Sequence, residues 1–147
     1  MVITISKLDD AFNPKTIAIV GAKKSSNYSW LRNMDTFQGQ VYSVQVDPDE
    51  IPGIEELGIP NYRTISEIPD EVDFVVIAVP RTAVPIVLED ALNKGVKNIH
   101  VFSSGFAESG EAEAIELQEK ITKMAQDADV VLVGPNCMGI FNPSVGM

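Results

Sequence analysis

Thr16-Ile17-Ala18-Ile19-Val20-Gly21-Ala22-Lys23-Lys24-Ser25-Ser26 decides how the rest of the chain is read. Five residues, mostly β-branched or small and apolar, stop at a glycine and give way to a polar loop. A continuous apolar run of this length suits a parallel strand covered on both faces. Gly21 lets the backbone turn sharply and lets a ligand approach where a Cβ would stand in the way. Backbone N–H groups in the loop and at the start of the following helix have no partners within their own segment, so they can take phosphate. The stretch predicts a nucleotide-type loop.

The same grammar repeats downstream. Asn27–Phe37 reads as a helix, with Tyr28, Leu31 and Met34 at helical spacing and Gly39 as its stop. Gln40–Val46 alternates and reads as the second strand. Asp47 to Pro69 is rich in proline and glycine, so only short elements fit, with Thr64 and Glu67 placed as a capping box. Phe74–Val79 is the third strand, followed by a helix over Thr82–Asn93 that Gly95 ends. Asn98–Phe102 is the fourth strand. Glu111–Ala128 is a long helix with Ala114, Leu117, Ile121, Met124 and Ala128 on one stripe. Val130–Val133 is the fifth strand. Residues 1–13 read as a lead-in, and Pro14 biases Asn13 toward an extended shape. Alternating strands and helices predict an α/β, Rossmann-like, doubly wound sheet of about five parallel strands flanked by helices, in a single domain over 1–147.

Composition narrows the function. A formal net charge of −10 argues against broad nucleic-acid or anionic-membrane binding. One cysteine, Cys137, leaves no intrachain disulfide and no cysteine-based zinc site, and no metal is expected. No apolar run approaches the roughly 20 residues of a membrane helix, and no secretory leader is recognisable, so a cytoplasmic protein is expected.

Ligands of doubly wound sheets sit beyond the carboxyl ends of the strands, near the switch in strand order. Five edges are therefore candidate ligand contacts: Gly21, Ala22, Lys23, Lys24, Ser25 and Ser26; Val46, Asp47 and Pro48; Val79, Pro80 and Arg81; Ser103, Ser104, Gly105, Phe106 and Glu108; and Asn136 with Cys137. An NAD(P)-linked oxidoreductase would want G-x-G-x-x-G after the first strand and an acid after the second. Asp47 lies 26 positions after Gly21, but lysine and serine stand at 23 and 26 where the further glycines belong.

Phe12-Asn13-Pro14-Lys15-Thr16-Ile17-Ala18-Ile19-Val20-Gly21-Ala22 resembles the opening of the CoA-binding domain of ADP-forming acyl-CoA synthetases, relatives of the succinyl-CoA synthetase alpha subunit. The resemblance continues in Val41–Val44, Ile65–Pro69, Val72–Pro80, Ser103–Glu108 and Gly134-Pro135-Asn136-Cys137-Met138-Gly139, and so covers nearly the whole chain from Phe12. It implies CoA or acyl-CoA as ligand. The Gly21 loop would hold the phosphates, the Val79-Pro80 edge would line the adenosine or pantetheine path, and the 103–106 loop would sit near the pantetheine arm. The 134–139 segment would lie near the thiol. It also implies partners, a phosphohistidine domain and an ATP-grasp portion. Without them this chain is expected to make no thioester, and no catalytic residue is assigned. A free-standing CoA-responsive regulator is the alternative.

The chain departs from the family pattern in two places. Lys23 stands where serine usually follows Gly-Ala, and Asn27 where a further glycine is common. After the second strand, Asp47-Pro48-Asp49-Glu50 is acidic where the family commonly carries a basic residue, which would repel a 3′-phosphate. Lys23, Lys24 or Arg81 are the cations that could compensate. The single histidine, His100, lies inside a strand and reads as structural, and Cys137 as site lining or structure. Tyr28 and Trp30 read as core aromatics or as surfaces for adenine. Glu108 reads as either a ligand contact or a solvated acid.

Overall fold

The computed structural model describes residues 2–147. One parallel sheet of six strands carries the fold, in the order β3-β2-β1-β4-β5-β6. The strands are β1 (Thr16–Val20), β2 (Gln40–Val44), β3 (Asn61–Tyr62), β4 (Phe74–Ile77), β5 (Asn98–Val101) and β6 (Val131–Val133). The helices are α1 (Ile5–Phe12), α2 (Ser29–Arg32), α3 (Ile51–Glu55), α4 (Val84–Lys94) and α5 (Ala112–Asp127). Pairing aligns Ala18 with Tyr42 on one side and with Val75 on the other, and Val75 with Ile99. Because side chains alternate across a strand, this register sorts the core into two layers. Ala18, Val20, Val75, Ile77, Ile99 and Val101 meet Leu88 and Ala91 of α4 and Ile121 of α5. Ile17, Ile19, Phe74 and Val76 meet Leu31 of α2, Tyr28 and Ile54 of α3. Sandwiching between two apolar layers is why these strands read as unbroken hydrophobic runs.

The architecture is the expected one, with a sixth strand. β3 has only two residues, lies in the proline-rich 47–69 region, and pairs with Ser43 and Val44. β1 and β6 end where their apolar runs end, at Val20 and Val133, whereas β2, β4 and β5 leave the sheet one or two residues earlier than expected. β2 stops at Val44 because the Gln45 side chain turns back on the chain and accepts from the Val46 and Asp47 amides. The expected 27–37 helix shrinks to four residues: Asn27 and Tyr28 are left-handed, both at φ 52, and delay its start. After Arg32, i→i−3 bonds such as Asp35 N to Arg32 O tighten the chain into turns. Residues 5–12 are helical rather than lead-in. Thr4 caps that helix at the Lys7 amide, and Lys7 reaches Asp129 beside β6 at 2.6 Å. At 64–67 one capping-box bond forms without a helix, Glu67 N donating to Thr64 Oγ1, while Glu67 Oε2 accepts from Arg63 N, one residue before the cap. No helix among the described residues is long and apolar enough to cross a membrane.

Candidate functional site

The strand order reverses between β1 and β4, so a crevice opens beyond their carboxyl ends. Gly21 sits at its centre with φ +88. Its amide donates to Val44 O at 3.1 Å, which fixes the turn to the neighbouring strand. A Cβ here would stand 2.6 Å from Ala78 O and 2.7 Å from Val79 Cγ1, so only glycine fits. Gly21 and Val79 together form a low saddle, with a cavity on either side.

The first cavity, about 440 Å³, is lined by Gly21, Lys23, Ser25, Ser26, Val79, Pro80, Arg81, Ser103, Ser104 and Asn136 from the candidate edges, with Ser29, Trp30, Ala78 and Phe102 completing its wall. Four of the five expected edges converge on it. The second, about 390 Å³ and mostly apolar, takes Val20, Val44, Gln45, Val46, Ile65, Ala83, Ile86 and Val87, with Arg63, Thr64 and Asp90 among its polar lining. Val46 is the expected residue found there and not in the first cavity, while Gly21 and Val79 line both.

The loop is held from behind. Buried Gln45 donates from Nε2 to Ala22 O at 2.9 Å while its Oε1 accepts from Val46 and Asp47. Glu50 Oε2 accepts from the Lys24 amide at 2.6 Å, and the Glu50 carbonyl accepts from Tyr28 Oη at 3.2 Å. Lys23 O accepts from the amides of Ser26 and Tyr28. These bonds leave the amides of Ala22, Lys23 and Ser25 with no acceptor among the described residues. That arrangement can take an anion. Asn27, at φ 52, supplies the left-handed turn that a glycine would otherwise give.

Other candidates have structural duties. Arg81 donates to Gly105 O and pairs with Glu111 at 2.8 Å, so its charge is already matched. Glu108 accepts from the amides of Gly105 (2.6 Å) and Phe106 (3.0 Å). Burial alone would raise its pKa, but these amide bonds and Arg81 outweigh it and hold the carboxyl below its usual range. Phe106 is fully buried in the α4–α5 layer, so its side chain serves the core and not the cleft. Asp47 and Pro48 are exposed at a turn outside both cavities, where Asp47 Oδ1 accepts from Asp49 N.

Cys137 lies outside both cavities too, with Sγ 3.5 Å from the Gly139 amide. Its carbonyl meets His100 Nε2 at 2.7 Å, and the Asn136 amide donates to Ser103 O, so the 134–139 segment is tied to the end of the sheet. His100 is 1% exposed and its Nδ1 has no partner among the described residues. Burial lowers its pKa, against a smaller opposing effect from the Cys137 carbonyl. Trp30 packs on His100 at 5.3 Å and edge-on to Phe102 at 5.1 Å, forming the first cavity's aromatic wall. Tyr28 is core. Among the described residues, no group of three or more His, Cys, Asp or Glu side chains is placed to hold a metal.

Sequence reasoning missed Gln45, Glu50 and Arg63. Gln45 had a visible signal, a polar residue at an inward position of a strand. Glu50 and Arg63 had none, because their roles depend on loops that only the fold brings together.

Comparison with known proteins agrees with this geometry. A family described as a CoA binding domain matches residues 15–143. An ADP-forming acetate–CoA ligase of Methanocaldococcus jannaschii is 36% identical over 91% of this chain and 18% of its own length. Subunit alpha of the ADP-forming acetate–CoA ligase II of Pyrococcus furiosus is 36% identical over 92% of this chain and 29% of its own. The chain thus spans less than a third of these relatives. The structure of a dinucleotide-forming acetyl-coenzyme A synthetase 1 from Candidatus Korarchaeum cryptofilum, in complex with phosphate and ADP, superposes with a TM-score of 0.85 at 34% identity, over 97% of this chain and 30% of that one. With its crevice at the strand-order switch, its Cβ-less saddle and a profile match over most of its length, the chain belongs to the CoA-binding domain family.

Proposed function

We propose that this chain binds CoA or acyl-CoA across the Gly21 saddle and presents it within an ADP-forming acid–CoA ligase. The observation that carries this reading is the saddle itself. An extended ligand with a diphosphate in its middle can cross there, its phosphates on the Ala22, Lys23 and Ser25 amides and one end in each cavity. The serine-lined cavity, with its Trp30–Phe102 wall, suits the pantetheine arm, which carries amides on an apolar chain. The thiol would then emerge toward the Asn136-Cys137 segment. In the ligase, that sulfur would attack the carbonyl of an acyl phosphate and release phosphate. The phosphohistidine and ATP-grasp parts would supply the acyl phosphate; this chain would orient the thiol.

Isothermal titration calorimetry with CoA, acetyl-CoA and NAD tests the reading. CoA should bind with micromolar-range affinity and NAD more weakly by at least roughly tenfold, a difference of about 1.4 kcal/mol. NAD binding as tightly as CoA would overturn it.

A further inference from the structure

CoA differs from a plain ADP-pantetheine by one dianionic group, the phosphate on the ribose 3′ oxygen, and the turn after β2, Asp47-Pro48-Asp49-Glu50, carries acids and no cation. Arg81 does not fill the need, being matched by Glu111 and Gly105. Lys23 lines the first cavity, on the other side of the saddle from Val46 and the β2 edge. The second cavity has one cation in its lining, Arg63. Arg63 follows β3, is exposed, and takes part in none of the ion pairs among the described residues. Only its backbone amide is engaged, by Glu67. Asp90, the acid of the same lining, is already occupied by the Ile65 amide at 2.6 Å and by the Ser66 hydroxyl. The rest of that cavity is aliphatic, from Val20, Val44, Val46, Ile65, Ile86 and Val87. An apolar slot with one unpaired guanidinium in its lining fits a flat base attached to a sugar phosphate.

We propose that Arg63 reads the 3′-phosphate of CoA, and that it replaces the cation missing from the turn after β2. This rests on the CoA reading above and deepens it. Guanidinium donors meet phosphate oxygens in a forked, charge-assisted contact that water competes with poorly at the edge of an apolar slot. Loss of such a contact weakens binding by roughly tenfold to a hundredfold.

The test is calorimetry of CoA and 3′-dephospho-CoA against the wild type, Arg63→Ala and Arg63→Lys, with circular dichroism to confirm folding. Because the side chain is exposed, both variants should fold. The expected result is a wild-type preference for CoA that Arg63→Ala erases, through weaker CoA binding and unchanged 3′-dephospho-CoA binding. Arg63→Lys should keep part of the preference, and added salt should narrow it. Equal effects of Arg63→Ala on both ligands, or none on either, would overturn the assignment while leaving CoA binding intact. A wild type that binds neither ligand would remove the CoA reading itself, and this assignment with it.

Discussion

Replacing Gln45 by glutamate should disable the ligand loop with almost no change in shape. Gln45 is 8% exposed and its side chain makes three hydrogen bonds: it donates to Ala22 O at 2.9 Å and accepts from Val46 N at 2.9 Å and Asp47 N at 3.1 Å. Glutamate keeps both acceptor bonds. At Ala22, however, it sets a carboxylate oxygen against a carbonyl oxygen. A buried acceptor stripped of its donor costs about 1–3 kcal/mol, and burying the new charge adds to it. Urea unfolding should therefore show Gln45→Glu destabilised by about 1–3 kcal/mol at neutral pH, with an unchanged m-value. CoA affinity should fall further than global stability predicts, because the bond to Ala22 O holds the loop whose Ala22, Lys23 and Ser25 amides have no acceptor among the described residues. The acid can also repair the defect. Burial raises its pKa, and the protonated form has an O–H to donate to Ala22 O, so the deficit should shrink as pH falls toward 5. Gln45→Met, which removes all three bonds, should show no such recovery. Gln45→Glu with wild-type stability and CoA binding at pH 7.5 would refute the reasoning.

Gly21→Ala should be worse than a typical loop substitution. The left-handed backbone costs about 1–2 kcal/mol for an L-residue, and the added methyl meets Ala78 O at 2.6 Å; a thermal melt and a CoA titration should both register it. His100→Gln addresses pH. Burial lowers the His100 pKa, so the unfolded chain takes up the proton first and stability should decline as pH falls below about 6.5, the unperturbed histidine value. Glutamine can still donate to Cys137 O but does not titrate, so its urea midpoint should be flatter between pH 6.5 and 5; identical pH profiles would count against the assignment. At Glu50, glutamine keeps an acceptor for the Lys24 amide and alanine does not, so Glu50→Gln should bind CoA nearly as the wild type while Glu50→Ala binds several-fold more weakly, read by the same calorimetry.

The layers of this fold were legible because they are periodic. Ile17–Val20 and Phe74–Ile77 are apolar on both faces, and only a strand covered twice needs that; Asn98–Val101 is buried throughout but carries Asn98 and His100 on one face. Gly95 was legible as the end of α4, where it stands at φ 89. β3 was not, since two residues carry no period, and it is set by pairing with Ser43 and Val44. The length of α2 was misread because Tyr28 is left-handed, which its type rarely signals, and because the chain after Arg32 tightens into i→i−3 turns. At the cleft, strand ends pointed to the right neighbourhood, since four edges share one cavity. Sequence could not say which side chains were free. Arg81 looked like an available cation until its partners Glu111 and Gly105 appeared, and Phe106 looked like a loop residue although its ring lies in the core.

The ridge made by Gly21 and Val79 splits the crevice into two compartments that share those two residues alone. Tail and head of a bound carrier would therefore be graded by separate juries. Substitutions around Ile86 or Val46 could retune which nucleotide handle is accepted without disturbing how the reactive end is aimed. Drift in one compartment need not be answered in the other, which leaves room for a scaffold of this kind to change clients one end at a time.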